Sequence, residues 1–227
     1  MLDIQLFTTS WDVMAKAHPS SRHQSKEHTR QALVRAALKL LSNHSFDRLS
    51  LREVTREAGI TPTAFYRHFE DMEELGLVLV EESFRSFGAM LQDARTHLAT
   101  GSGAIRRFLD VVVVHLHQET AHFRFIVRER NGGVRRVRRA VNRELQVFAD
   151  ALAIALVPLP ELDQWSTEDR RMLAGLIMET TLLMVAELLE LGPDEEAGTV
   201  ERTTHQLRLI GLGVPAWSGP PAAAANE

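Results

Sequence analysis

Apolar residues along this chain recur three and four positions apart, the spacing of one helix face, and strand-like alternation is weak. Leu33, Ala36, Ala37, Leu40 and Leu41 set the pattern for a helix over about residues 26–43. A short loop with Phe46 and Leu49 follows. Ser50 and Glu53 then carry the reciprocal signature of a helix start, each side chain satisfying a backbone N–H of the other residue. A short helix over 51–58 turns Leu51, Val54 and Ala58 inward and Arg52 and Arg56 outward. Gly59 supplies the turn, Thr61 the next cap, and Pro62 the first helical position, where a missing N–H is harmless. Two helices across a glycine turn predict a helix-turn-helix.

A rotation of about 100° per residue sorts the stretch that follows. Pro62, Phe65 and Phe69 fall on an inward arc, Thr63, Tyr66, Arg67 and Glu70 lie roughly opposite, and His68 sits on a flank. The phenylalanines are expected to anchor the helix and so present the polar side outward. A DNA major groove admits such a helix. Hydroxyls and imidazoles bond phosphates, and Arg bonds either phosphates or guanine edges.

The remainder reads as helix over about 71–98, 103–118, 120–131, 134–157, 167–191 and 195–211. Breaks fall at "TGSG", "NGG", "VPLPELD" and "LGPD", all turn chemistry. The predicted fold class is therefore all-α. A flexible N-terminal extension (1–21) precedes a three-helix helix-turn-helix head (22–70), a helical body (71–212) and a disordered tail (213–227), whose Pro, Gly, Ala and Ser leave little to bury.

Charge sharpens the division. The formal net charge is −4, yet residues 22–70 hold nine Lys/Arg against five Asp/Glu, +4, so a basic head sits on an acidic body. Cysteine is absent, which removes disulfides and thiolate metal sites. No run approaches about 18 apolar residues, the length that would span a membrane. The first 21 residues lack a basic start with a compact apolar core and make a poor signal peptide. A cytoplasmic protein is expected.

Enzyme signatures are missing: no G-x-S-x-G elbow, no P-loop and no dinucleotide fingerprint occurs. His115, His117 and His122 invite a metal reading, but on a helix the first two point about 200° apart, and zinc needs convergent ligands. Neither catalysis, cofactor nor metal is expected.

The stretch "SLREVTREAGITPTAFYRHFEDMEELG" (50–76) is similar to the DNA-binding head of the TetR family of one-component repressors. Within that family it resembles the FabR and DesT repressors of unsaturated fatty-acid synthesis, as does "RFIVRERNGG" (124–133). It lacks the Lys that many relatives carry a few residues after the "YxHF" element. The resemblance implies DNA contacts by Ser50 and Arg52 on the second helix and by Thr61, Thr63, Tyr66, Arg67 and His68 on the recognition helix. Tyr66 and His68 match the family's backbone-contacting pair, and Arg52 is the expected base reader.

The resemblance also makes the body a ligand-binding and dimerisation domain. The last two long helices would pair with those of a second copy through Leu176, Leu183, Met184, Leu207 and Ile210. That homodimer would read a palindromic operator in double-stranded DNA. The expected effector is a hydrophobic small molecule, a long-chain acyl-CoA or acyl carrier protein thioester. Phe108, Val112, Phe123 and Phe125 are candidates for its apolar lining. Eight arginines crowd 124–143, and two explanations stand side by side: a solvated helix face, or a landing patch in which Arg124, Arg128, Arg135 and Arg136 take the effector's phosphates or acidic carrier. Release by a drug-like or aromatic molecule is the alternative within the same family.

Overall fold

The computed structural model describes residues 21–97, 103–217 and 219, and the described residues form helices and turns without a strand. Helix α1 spans Ser21–Leu41, starting earlier than the apolar pattern suggests because no Gly or Pro interrupts 21–25. A 3-10 turn, Phe46–Arg48, leads to α2 (Leu51–Glu57) and α3 (Pro62–Phe65). The long α4 (Met72–His97) enters the body, followed by α5 (Ala104–Gln118), α6 (Thr120–Glu129) and α7 (Arg135–Ala155). Helices α8 (Thr167–Leu188) and α9 (Pro193–Gly213) complete it.

The expected caps are made. Ser50 Oγ accepts the Glu53 N–H at 3.3 Å, and Glu53 Oε2 accepts the Ser50 N–H at 2.9 Å. Thr61 Oγ1 accepts the Ala64 N–H at 3.3 Å, with Pro62 in the first turn. Gly59 has φ of 70°, the left-handed region that a side chain disfavours, and there the chain swings from α2 to α3. Lys39 on α1 reaches Glu57 on α2 at 2.5 Å.

A single apolar core runs from head to body. Leu33, Val34 and Ala37 of α1, Phe65 and Phe69 of the recognition segment and Leu75 and Leu79 of α4 are buried in the same cluster as Ile126, Val141 and Val185. Phe46 joins the halves by meeting Phe125 of α6 edge to face, centroids 6.5 Å apart. Deeper in the body Phe87 stacks on Phe123 at 4.4 Å and meets Phe148 at 5.9 Å. Rings of this size contribute heavily to folding through the area they remove from water. A second, smaller cluster of Leu152, Leu156, Leu162 and Leu173 lies where the ends of α7 and α8 meet.

The chain's end differs from the expected disorder. Gly213 is still helical, Val214–Ala216 form a 3-10 turn, and the Trp217 indole N–H donates to Asp169 Oδ1 at 3.0 Å. The ring of Trp217 lies 6.2 Å from that of Trp165. An indole with an apolar wall and a hydrogen-bond acceptor in reach orders a stretch whose composition alone reads as loose. The rest of the tail, and the N-terminal extension through residue 20, lie outside the described residues.

Candidate nucleic-acid interface and effector cavity

The two phenylalanines of the recognition segment fix its orientation. Phe65 and Phe69 are buried with ring centroids 5.4 Å apart, and Arg30 of α1 stands over the Phe69 ring at 5.1 Å. After Phe65 the helix tightens: Arg67 N–H bonds Ala64 O and His68 N–H bonds Phe65 O, three-residue steps that keep the same face outward. Tyr66 is 62% exposed, and Thr61, Thr63, Arg67 and Glu70 are exposed beside it. Ser50 and Arg52 on α2 are exposed as well. Pro62 is exposed rather than inward, because a helix's first residue has no preceding turn to bring it against the core.

His68 is half-buried, and its Nδ1 is buried without a hydrogen-bond partner. Burial lowers the imidazole pKa, and the positive charges of Lys26, Arg30 and Arg67 lower it further. Both effects favour the neutral ring.

The sequence-derived ligand residues separate in space. An apolar cavity of about 800 Å³ opens between the start of α5, the end of α7, α8, α9, a 3-10 turn between α7 and α8 (Pro160–Leu162) and the 3-10 turn after α9 (Val214–Ala216). Phe108 lines it, together with Ile105, Leu156, Leu173, Ile177 and Val214. Val112, Phe123 and Phe125 do not. They are buried in the main core, Phe123 against the ring of Phe87 and Phe125 against that of Phe46. The cavity walls missed in the sequence come from "VPLPEL" and from the chain's end. Both read as breaks, and their Leu, Val and Pro residues were the available signal.

The arginines mostly serve internal bonds. Arg124 donates to Glu190 at 3.1 Å and to Leu189 O at 2.9 Å, and Arg128 donates to backbone carbonyls of α1 and its following loop. Arg136 pairs with Glu73 at 3.3 Å. Arg135 is exposed. None of the four lines the cavity, whose charged lining residues are Glu161 and Arg208. The histidines also diverge: His117 meets Glu196 at 2.8 Å, while His122 Nδ1 meets Ser83 Oγ at 2.9 Å. No cluster able to hold a metal ion occurs among the described residues.

The expected interface residues fall on two sides of their helices. Leu176 and Leu183 of α8 are exposed, Leu183 at 65%, and with Met172 they make an apolar outer stripe on that helix; Leu209 and Leu212 of α9 are exposed as well. Met184 and Leu207 are buried within the chain itself, at 1% and 5%, and Ile210 lines the cavity. A helix at 100° per residue turns neighbours such as 183 and 184 to different sides, and only one of the two can face outward.

Residues 33–77 match the family described as bacterial regulatory proteins, tetR family. A TetR family transcriptional regulator from Chloroflexus aurantiacus superposes with a TM-score of 0.56 at 16% identity, over 82% of this chain and 93% of its own. GusR of Salmonella enterica does so at 0.61 and 17% identity, over 84% and 96%. The fatty acid degradation regulator FadR of Bacillus halodurans gives 0.57 at 14% identity, over 84% and 96%. These likenesses establish a shared fold. No helix of the described residues is long and apolar enough to cross a membrane. Residues 33–77 are thus similar to that family, and the described residues share the fold of these regulators.

Proposed function

We propose that this chain is a TetR-family transcriptional regulator, a homodimeric repressor whose head (22–70) binds a palindromic operator and whose body (71–212) releases or strengthens that grip when a hydrophobic effector occupies the cavity. The observation that carries the reading is the outward face of Thr63, Tyr66 and Arg67, held rigid by Phe65 and Phe69 beneath it. Ser50, Arg52, Thr61 and His68 extend the same contact surface. Arg52 reads a base edge and the hydroxyls take phosphates. The outer stripe of Leu176 and Leu183 pairs with its copy, so that two heads meet grooves about 34–36 Å apart.

The effector is a long-chain acyl thioester, and the regulated genes serve unsaturated fatty-acid synthesis. The apolar cavity suits an acyl chain, and one structural neighbour is by name a regulator of fatty acid degradation. A straight and a kinked chain fill one cavity differently, and a ligand shifts the equilibrium only through such a difference. Coupling of about 1–3 kcal/mol would change operator affinity roughly 5–150-fold. Fluorescence anisotropy of the purified dimer on palindromic promoter fragments tests this. Opposite shifts with oleoyl-CoA and palmitoyl-CoA are expected, and identical shifts would reject the acyl reading. That no arginine of 124–143 lines the cavity favours a second reading, in which a neutral drug-like or aromatic molecule enters. Response to such a compound and indifference to both thioesters would establish it.

A further inference from the structure

The last turn of α6 sends three consecutive side chains to three places. Arg128 Nη1 donates to Leu41 O and to His44 O, each at 3.0 Å. These carbonyls lie at and just beyond the end of α1, where a helix leaves acceptors without N–H partners. Glu129 Oε1 accepts the Phe46 N–H at 2.8 Å, at the opening of the 3-10 turn that leads to α2. Arg130 Nη2 bonds both oxygens of Glu179 on α8, at 2.9 and 2.6 Å.

The turn after α6 is shaped around the same carboxyl group. A Cβ at Gly132 would stand 2.0 Å from Glu129 Oε2, so any side chain there would displace it. Arg138 fixes Gly132 O at 2.5 Å, and Asn142 fixes Arg130 O at 2.8 Å, tying the turn to α7. Glu129 is only 1% exposed and its Oε2 has no partner. Burying such a group with one donor is unfavourable, and an apolar residue of similar volume would sit there at lower cost. Packing therefore does not explain a carboxyl group at this position. Its distinctive contribution is a directional bond to one backbone N–H of the head.

The route to the effector is short. Ile177 lines the cavity, and Glu179 lies two residues further along the same helix. A displacement of α8 at the cavity wall reaches Arg130, and from there the neighbouring side chains that hold the head. Energetic coupling between distant sites needs such a contiguous set of packed and bonded groups with two arrangements.

We propose that Arg128, Glu129 and Arg130 form a clasp that sets the angle of the DNA-binding head against the body, with Glu129 and Arg128 as positioning residues and the Arg130–Glu179 pair as its link to the cavity wall. The proposal rests on the repressor reading above. It assigns the "RERNGG" stretch to transmission between sites instead of to effector phosphates.

The test uses the full chain as wild type, E129Q, E129A and E179Q. Amide hydrogen exchange over 41–49 needs neither operator nor effector. E129Q keeps an oxygen for the Phe46 N–H and should exchange at the wild-type rate. E129A should exchange about tenfold faster at Phe46, the loss of one buried hydrogen bond, while amides in α8 stay protected. On the operator, E129A should bind about tenfold more weakly, with oleoyl-CoA affinity unchanged within about twofold. E179Q should keep operator affinity but shrink its response to oleoyl-CoA. Wild-type exchange at Phe46 in E129A, or a uniform rise across the whole chain, overturns the clasp. A wild-type protein that binds no palindromic fragment, or ignores oleoyl-CoA, counts against the repressor or acyl reading, and the exchange result still decides the clasp.

Discussion

The indole N–H of Trp217 and the carboxylate of Asp169 meet at 3.0 Å, fastening the stretch after α9 to the first turn of α8. The same Asp169 accepts the Ser166 hydroxyl, and its backbone N–H donates to that hydroxyl at 3.0 Å. Val214 and Pro215, just before the tryptophan, are cavity wall. The bond thus closes one side of the proposed effector site.

Trp217→Phe keeps a ring against Trp165 and removes the bond to Asp169. Effector affinity should fall about three- to tenfold, the range for one hydrogen bond, while the unliganded protein still binds operator. Titration of oleoyl-CoA followed by Trp165 fluorescence checks it; unchanged affinity would show that the strap is not part of the site.

Phosphate contacts report themselves through salt. Each removed contact should lower the slope of log affinity against log salt by about one. Arg67→Ala and Tyr66→Phe on the exposed face of the recognition segment should weaken operator binding, the first with a shallower slope. Arg52→Ala should instead relax sequence preference, costing about 1–3 kcal/mol on the best site. Equal losses on specific and random DNA for Arg52→Ala would place it on the backbone.

The outer stripe of α8 predicts oligomeric state. Leu176→Arg with Leu183→Arg puts two charges into the proposed subunit contact while touching little of the chain's own core. Sedimentation should show a dimer for wild type and a monomer for the double variant, with a helical circular dichroism spectrum retained. A dimeric double variant would move the interface elsewhere.

Glu129 gives a signed pH dependence. Burial raises its carboxyl pKa above the ordinary range, the Phe46 N–H pulls it partly back, and Asp47 pushes it up again. The folded chain then holds the proton more tightly than the unfolded chain does. The associated stability is fully present below the unfolded pKa and is lost as pH rises through the folded value. Glu129→Gln cannot lose that proton. Relative to wild type it should gain stability between acid and neutral pH, read from urea unfolding at each pH. A constant difference would contradict the assignment. Glu129→Ala also lacks that proton and should show the same change with pH relative to wild type.

Much of the head was legible because its signals are local. Ser50, Glu53, Gly59, Thr61 and the two phenylalanines act within a few residues of themselves, and capping and rotation can be read from spacing alone. The body's helix ends were readable for the same reason. The cavity was not. Its wall joins Phe108, Leu156 and Val214, which are far apart in the chain, and nothing local distinguishes a cavity leucine from a core leucine. The arginine segment failed in a different way: charge density is visible in a sequence, but the partners Glu190, Leu41 O and Glu179 are visible only once the chain is folded.

The unbroken core beneath Phe46 and Phe125 limits how this chain can be recombined. Transplanting residues 22–70 onto a foreign effector domain would strip Phe46 of its ring partner and leave the α1 carbonyls without Arg128. Working chimeras should therefore be cut so that α4 and the end of α6 travel with the head, and specificity for DNA and for effector should be inherited in larger blocks than the motif boundaries suggest.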